Sequence, residues 1–408
     1  ETYPIFELLS ESRGFGGHPR FGEGMGGGGS KEGDEADLPP DGAAPAPAAP
    51  AGHDPESIDR RTEELDLDQS GHFHPRVSDD AAAGGGGGGG GERKASMWKQ
   101  LSQGYDQLVD AVIRPPRSEY EISELGPAEL KWCGKRFIRH DLELTNSRGL
   151  TLRCSWWKFH PDNAPRKELP VCVHMHGNAG CRLGVAPVLE HLLASAITVF
   201  AFDFAGSGMS GGDFVSLGHF EQEDVAAVVK YLRSTNEVST IALWGHSMGA
   251  VTSILFGDRD PSIAAMVLDS PFCDLTQLAY ELVDMSREHG FWVPGFAASM
   301  GMGSIRRAVK KRAGFDMRAV KPIAKCPASF IPALFAHGER DDFIKPDHSK
   351  KLQEAYAGDS NLILFEGDHN SERPGFFYDS VMIFLRQTLM VKDEDCLAMG
   401  ARGGGGGR

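Results

Sequence analysis

Two serines in this chain lie in a Gly-x-Ser-x-Gly pattern, which is typical of a tight turn that presents a serine hydroxyl for nucleophilic attack. The matches are Gly208-Met209-Ser210-Gly211-Gly212 and Gly245-His246-Ser247-Met248-Gly249. A strand-like apolar run at 241–244 precedes the second match, and a helical pattern at 250–256 follows it without a gap. The first match is followed by more loop instead. We therefore predict that Ser247 is a nucleophile and that Ser210 is a turn residue.

A serine hydroxyl becomes a strong nucleophile only when a base takes its proton and a third group holds that base in the right tautomer. Both partners are expected on loops that follow later strands. The strand-like run at 331–337 leads into Asp341, and the run at 362–365 leads into His369. This order along the chain predicts that Ser247, Asp341 and His369 form a catalytic triad, with His369 as general base.

Neighbouring residues leave an alternative for the acidic member. Asp342 is adjacent to Asp341, and one of two adjacent loop carboxylates is expected to face the histidine while the other faces solvent; we favour Asp341. Asp368 is interpreted as a turn residue, because it cannot easily turn back onto the neighbouring His369 ring. The histidines at strand ends or in the serine turn are not predicted to be the base: His174, His176, His246 and His337.

Acyl transfer also needs backbone N–H groups aimed at the oxyanion that develops in the transition state. The segment His176-Gly177-Asn178-Ala179-Gly180 follows the first strong apolar run, where such a donor is usual. We predict that the backbone N–H groups of Asn178 and Met248 form the oxyanion hole, with Ala179 as the alternative to Asn178. A glycine-rich strand-to-helix turn without chemistry is the structural alternative.

Alternating strand and helix patterns must position these residues. Strand-like runs occur at 171–176, 197–203, 241–244, 264–269, 331–337 and 362–365, and helical patterns occur at 185–194, 220–233, 250–256, 347–356 and 377–388. Strands that alternate with helices of this length predict an α/β fold, in which a mostly parallel central sheet is covered by helices on both faces.

The interval 271–327 interrupts this alternation and is too long for an ordinary connection. It contains apolar residues at helical spacing and ends in a basic run at 306–312. We expect a helical insertion that acts as a lid, and the alternative is a packed helical appendage that does not contact substrate.

Composition separates the two ends from the rest of the chain. Most of the net charge of −15 lies in residues 1–96, and the 51 glycines are concentrated near the ends. We predict that residues 1–96 and 391–408 are disordered and that residues 97–390 form one domain. An interaction arm for a basic partner is the alternative for the acidic extension.

Several classes of protein are disfavoured. An acidic chain without a basic face is a poor candidate for nucleic-acid binding. No apolar run is long enough for a membrane helix. The seven cysteines form no CxxC pair, which favours reduced thiols and a cytoplasmic location. Metal-binding, P-loop and dinucleotide-binding patterns are absent, so we expect no metal and no cofactor.

The chain resembles plant and protist α/β-hydrolases related to the serine aminopeptidase-like and bem46-like hydrolases, from about Leu108 to Leu389. This resemblance implies the α/β-hydrolase fold, hydrolase activity and the triad roles of Ser247, Asp341 and His369. It is carried by these segments: Ile113-Arg114-Pro115-Pro116-Arg117 through Tyr120, Asn146-Ser147-Arg148-Gly149, Ser207-Gly208-Met209-Ser210-Gly211-Gly212, the Ser247 pentapeptide, Leu268-Asp269-Ser270-Pro271-Phe272, Asp341-Asp342-Phe343-Ile344 and Gly367-Asp368-His369-Asn370.

Together these observations predict a hydrolase of carboxylic esters or thioesters that works through an acyl-enzyme, with a small-molecule or acyl substrate. An aminopeptidase-like peptidase is the nearest alternative. A fold retained as a non-catalytic binding protein is the second, and the intact set of Ser247, Asp341 and His369 argues against it.

Overall fold

The sheet that carries the predicted residues is seen in a computed structural model, which describes residue 106 and residues 109–288 and 295–397. Within these residues, nine strands form one mixed sheet in the order β1-β2-β3-β5-β4-β6-β7-β8-β9. The strands are β1 (Glu129–Trp132), β2 (Lys135–Thr145), β3 (Thr151–Phe159), β4 (Leu169–Met175), β5 (Thr198–Phe202), β6 (Val238–His246), β7 (Ala265–Asp269), β8 (Ala333–Gly338) and β9 (Ser360–Phe365).

The strands from β4 onward pair in parallel, as predicted, whereas β1, β2 and β3 pair antiparallel with one another and β3 pairs antiparallel with β5. All seven residues of β4 are buried, as expected for a central parallel strand. The carboxyl ends of β4, β6, β7, β8 and β9 therefore meet along one edge of the sheet.

Helices cover both faces of the sheet, which confirms the predicted α/β architecture. Val171 and Val173 of β4 pack in one core cluster with α2, α3 and α6, while Cys172 between them packs in a second cluster with α1 and α7. The helices are α1 (Ala186–Ala194), α2 (Glu221–Ser234), α3 (Met248–Gly257), α4 (Leu275–Glu288), α5 (Gly295–Ala313), α6 (Asp347–Ala355) and α7 (Gly375–Thr388).

Two helices, α4 and α5, lie within the described part of the interval 271–327. Leu278 of α4 and Val309 of α5 join a third core cluster with Val251 and Leu255 of α3. The helix that begins directly after Ser247 is thus packed against the insertion. Residues 289–294 lie outside the described residues, and the role of the insertion as a lid stays a prediction.

The antiparallel strands β1 to β3 were not among the predicted elements. Charged residues are frequent in β2, and most of its residues are exposed or only partly buried. This half-exposed strand lacks the continuous apolar run that marks the buried parallel strands.

The described chain continues beyond residue 390, where the disordered C-terminal segment was predicted to begin. A short 3-10 turn at Asp393–Asp395 follows α7, and the N–H of Leu397 donates to the carbonyl of Ala194 at 2.8 Å. Arg166 also pairs with Asp395. These contacts tie residues 391–397 to the domain, so its boundary lies later than predicted. Residues 1–96 and 398–408 lie outside the described residues.

In the part of the chain that the structure describes, no helix combines the length and the apolar character needed to cross a bilayer.

Candidate active site

Ser247 lies in the turn between β6 and α3, with φ 51° and ψ −112°. This backbone conformation is strained for a residue with a side chain, and it is held by hydrogen bonds on both sides of the residue. The N–H of Ser247 donates to the carbonyl of Asp269 at 2.8 Å, and the N–H of Val251 donates to the carbonyl of Ser247 at 3.0 Å. The turn therefore projects the serine at the carboxyl edge of the sheet, as the strand-turn-helix pattern predicted.

The two glycines of this turn are required by the close approach of backbone segments. A Cβ atom on Gly245 would lie 2.1 Å from the carbonyl carbon of Gly249. A Cβ atom on Gly249 would lie 2.4 Å from the carbonyl oxygen of Met175, at the end of β4. Neither contact can be relieved by rotating a side chain, so the turn can form only with glycine at both positions.

His369 and Asp341 come together on the loops after β9 and β8. The His369 Nδ1 atom lies 2.6 Å from Asp341 Oδ2, and the N–H of Ile344 donates to Asp341 Oδ1 at 2.8 Å. The Asp341 side chain is fully buried, whereas Asp342 is exposed. Of the two adjacent carboxylates, Asp341 is therefore the one that faces the histidine.

Asp341 is ionised in this environment. Burial alone raises the pKa of a carboxyl group, but hydrogen bonds from His337 and His369 outweigh burial and hold the pKa of Asp341 well below its usual range. An ionised carboxylate only accepts hydrogen bonds, so Nδ1 of His369 is the donor to Asp341 and Nε2 is the ring nitrogen left to face a substrate or Ser247.

His337 is a neighbour of Asp341 that sequence reasoning missed. Its Nε2 atom lies 2.6 Å from the carbonyl oxygen of Ile344 and 3.1 Å from Asp341 Oδ2. Because a carbonyl oxygen only accepts, Nε2 carries the proton and Nδ1 accepts from the Ser349 hydroxyl at 2.7 Å. The spacing of four residues from Asp341 was the available signal, but it becomes meaningful only once the turn after β8 is known.

Ser247 and His369 lie on neighbouring loops and are both nearly buried. The ring of His246, the residue before Ser247, lies 5.0 Å from the His369 ring between centroids. Among the described residues, the hydrogen bonds of His369 do not include one to Ser247 Oγ. Such contacts are often long in the absence of substrate.

The segment His176 to Gly180 lies against the serine turn. A Cβ atom on Gly177 would lie 3.4 Å from Ser247 Cβ and 3.0 Å from Cδ2 of His246. The His176 ring holds the segment in place, since Nε2 accepts from the N–H of Phe204 at 3.1 Å and Nδ1 lies 2.8 Å from the carbonyl of Gly177. In the described part of the chain, the N–H groups of Asn178 and Met248 donate to no protein acceptor.

Ser210, in the other Gly-x-Ser-x-Gly match, is occupied by structural hydrogen bonds. Its buried hydroxyl donates to the carbonyl of Asp203 at 2.6 Å and accepts from the N–H of Arg153 at 2.8 Å. The Arg117 guanidinium also binds carbonyl oxygens of this segment, including that of Gly208 at 2.6 Å. The hydroxyl is thus used both as a donor and as an acceptor within the fold, and Ser210 is a structural turn residue.

Among the described residues, no group of three or more His, Cys, Asp or Glu side chains is arranged to hold a metal ion. Three histidines near the sheet edge, His174, His176 and His246, have a lowered pKa that favours the neutral ring. Burial lowers the pKa of His174 to about 3 and lowers the pKa of His176 and His246 as well.

Comparison with known proteins agrees with this fold and with the α/β-hydrolase resemblance seen in the sequence. Residues 166–299 match the family described as serine aminopeptidase, S33. The chain is 33% identical over 211 residues to the uncharacterised protein YqkD of Bacillus subtilis, covering 50% of this chain and 67% of that protein. It is 27% identical over 221 residues to the lysophosphatidylserine lipase ABHD12 of Rattus norvegicus, covering 48% of this chain and 50% of that one.

Among solved structures, the esterase Pf2001 of Pyrococcus furiosus has the same fold, with a TM-score of 0.52 and 20% identity over 68% of this chain and 98% of that chain. The chain therefore belongs to the α/β-hydrolase superfamily, which confirms the family and the fold that its motifs predicted.

Proposed function

We propose that this protein is a serine hydrolase that cleaves carboxylic esters or thioesters through an acyl-enzyme, with Ser247 as nucleophile, His369 as general base and Asp341 as the residue that orients His369. The observation that supports this proposal best is the 2.6 Å contact between His369 Nδ1 and the buried carboxylate of Asp341, on loops next to a strained serine turn. A buried, oriented histidine base beside a serine is the requirement for nucleophilic catalysis.

The chemistry follows from the protonation states. Nε2 of His369 takes the proton of Ser247 Oγ as this oxygen attacks the substrate carbonyl carbon, and the carbonyl oxygen becomes an oxyanion. The free N–H groups of Asn178 and Met248 would donate to that oxyanion. The imidazolium then protonates the leaving alcohol or thiol. Water then attacks the acyl carbon and gives its proton to His369. The imidazolium passes this proton to Oγ of Ser247 as the acyl bond to the serine breaks, which releases the acid and restores the enzyme.

An acyl ester is the favoured substrate class. The similar proteins include a lipase named for lysophosphatidylserine and an esterase, which supports ester cleavage. The aminopeptidase in the family description is the second candidate. A peptidase of that kind needs a carboxylate for the free amino group of its substrate. Two buried carboxylates next to the site, those of Asp341 and Asp269, are already engaged by His369 and Arg373.

Labelling with a fluorophosphonate tests the nucleophile. The wild-type protein is expected to carry one phosphonyl group, in the peptide that holds Ser247, and Ser247→Ala is expected to lose labelling and at least 10³-fold in turnover. Ser210→Ala is the matched control in the other Gly-x-Ser-x-Gly match. It should keep the label while losing about 1–3 kcal/mol of stability, because the N–H of Arg153 loses its acceptor.

A substrate panel then separates the classes. p-Nitrophenyl esters of rising chain length, acyl thioesters and lysophosphatidylserine are compared with aminoacyl p-nitroanilides. Preference for the anilides would favour the peptidase. A folded wild-type protein that is neither labelled nor active would contradict the proposal and favour a non-catalytic binding protein.

A further inference from the structure

A buried ion pair between Asp269 and Arg373 lies behind the proposed catalytic residues. Nε of Arg373 donates to Asp269 Oδ2 at 2.9 Å, and one terminal NH2 group donates to Oδ1 at 3.0 Å. Both side chains are more than nine-tenths buried. The sequence showed Asp269 only as part of a family-like segment and gave no reason to connect it with Arg373, 104 residues later.

Asp269 holds the serine turn from one side. It is the last residue of β7, which lies between β6 and β8 in the sheet, and it is paired in register with His246. Its carbonyl accepts the N–H of Ser247 at 2.8 Å. The same residue that binds Arg373 through its side chain therefore supports the strained backbone of Ser247 through its main chain.

Arg373 holds the histidine loop from the other side. The same terminal NH2 group that binds Asp269 also donates to the carbonyl oxygen of His369 at 3.1 Å. The other terminal group donates to the carbonyl of Ser371, and the guanidinium lies over the Phe365 ring at 4.8 Å from its centroid. A guanidinium is planar and offers its donors in a fixed fork, so these acceptors determine its position and it determines theirs.

We propose that Asp269 and Arg373 are positioning residues, which lock the backbone of the loop carrying His369 to the backbone of the turn carrying Ser247. This inference rests on the proposed function of those two residues. The pair spans the two loops without reaching the reacting atoms, and it sets the distance over which Nε2 of His369 must reach the serine hydroxyl. A displacement of about 1 Å in such a geometry lowers rates by on the order of 100-fold.

The electrostatic state of the pair fits this role. Burial raises the pKa of a carboxyl group, but the charge of Arg373 and the hydrogen bonds to Asp269 outweigh burial and hold the pKa of Asp269 well below its usual range. The Ser270 hydroxyl donates to Oδ1 at 2.9 Å as well. Both partners are thus charged at neutral pH, and removing either one leaves the other charge buried without its counter-charge.

The test uses the full chain and three variants: Arg373→Gln, Asp269→Asn and the double variant. Each single variant is expected to lower kcat for p-nitrophenyl acetate on the order of 10- to 100-fold, with KM changed less than about threefold. Both single variants are also expected to have a lower Tm, because each leaves one buried charge without its counter-charge. The double variant should recover part of that Tm but not kcat, because the link to the carbonyl of His369 is still missing.

Two further variants control the experiment. Arg373→Lys keeps the buried charge but loses the fork, so Tm should stay near the wild-type value while kcat falls. Arg340→Gln removes an exposed ion pair with Glu366, 3.0 Å long, which joins the loops after β8 and β9, and this variant should change neither quantity. Recovery of kcat together with Tm in the double variant would show a merely structural pair and overturn the proposal.

Hydrogen–deuterium exchange measures the coupling without substrate. Loss of the pair is expected to speed exchange in the peptide that holds Ser247 and in the peptide that holds His369 together. Faster exchange in only one of them, or in neither, would overturn the proposal. This measurement also keeps the two proposals apart, since an inactive and unlabelled wild-type protein contradicts the hydrolase function while exchange still decides whether the pair joins the loops.

Discussion

Nε2 of His337 lies 3.1 Å from Oδ2 of Asp341, so the carboxylate that binds His369 also faces a second imidazole ring. The second ring is fully buried and fixed by Ile344 and Ser349. Both rings face Oδ2 of Asp341, and Oδ1 accepts from the N–H of Ile344 at 2.8 Å. These contacts limit the rotation of the carboxylate and define the direction in which it orients His369.

Removal of the second imidazole is the first prediction. His337→Phe should lower kcat about 10-fold or more, because Asp341 loses one of the donors that keep it ionised and aligned. The control is Tyr356→Phe, which removes a buried hydroxyl bonded to Ser329 and to the carbonyl of Ile331. The control should lower Tm but leave kcat unchanged. Equal losses of kcat in both variants would contradict a specific role for His337.

The second prediction separates the two adjacent carboxylates after β8. Asp341→Asn should lower kcat on the order of 10⁴-fold with the fold intact, since an amide favours the wrong tautomer of His369. Asp342→Asn should change kcat less than about threefold, because this side chain is exposed. Steady-state kinetics on a p-nitrophenyl ester, with circular dichroism of each variant, provide the measurement. The reverse ranking would move the acidic role to Asp342.

The third prediction concerns the glycines of the serine turn. Gly249→Ala should abolish labelling by the fluorophosphonate and cost about 1–3 kcal/mol or more, because the new Cβ would meet the carbonyl oxygen of Met175. Gly303→Ala in α5 is the matched control. Apart from the backbone of its own helix and its chain neighbours, no atom lies within 4 Å of the new Cβ there, so the variant should keep full labelling and gain about 0.5–1 kcal/mol of stability. Retained labelling in Gly249→Ala would contradict the geometry of the turn.

The fourth prediction is a pH dependence of stability. The pKa of Asp341 is lowered in the folded protein, so its stabilising contribution is present above the ordinary pKa of an aspartate, about 3.9, and is lost as the pH falls towards the folded value. The Tm difference between wild type and Asp341→Asn should be largest near pH 6–7 and should shrink steadily below about pH 4. Thermal unfolding from pH 7 to pH 2 measures it, and a difference that stays constant would contradict the lowered pKa.

Sequence alone determined the features that depend on local pattern. The strand before Ser247, the helix after it and the two flanking glycines are contiguous, so the turn could be predicted from adjacent residues. The sequence also predicted that Asp341 and His369 lie near Ser247, because each follows a strand and parallel strands bring their carboxyl ends to one edge of the sheet. Strands β1 to β3 were missed because charged residues interrupt their apolar runs, most often in β2.

Only the tertiary structure decided which side chains meet across that edge. Asp341 and not Asp342 faces His369, Asp269 pairs with Arg373, and His337 bonds to Asp341. Ser210 was predicted to be a turn residue, and the structure shows why its hydroxyl is occupied. These contacts join residues from separate strands and loops, and their partners depend on the register of the sheet and on the dihedral angles of each loop. The periodicity of the sequence contains neither the register nor the loop dihedral angles. It indicates which face of a helix or strand is buried, but not which side chain packs against that face.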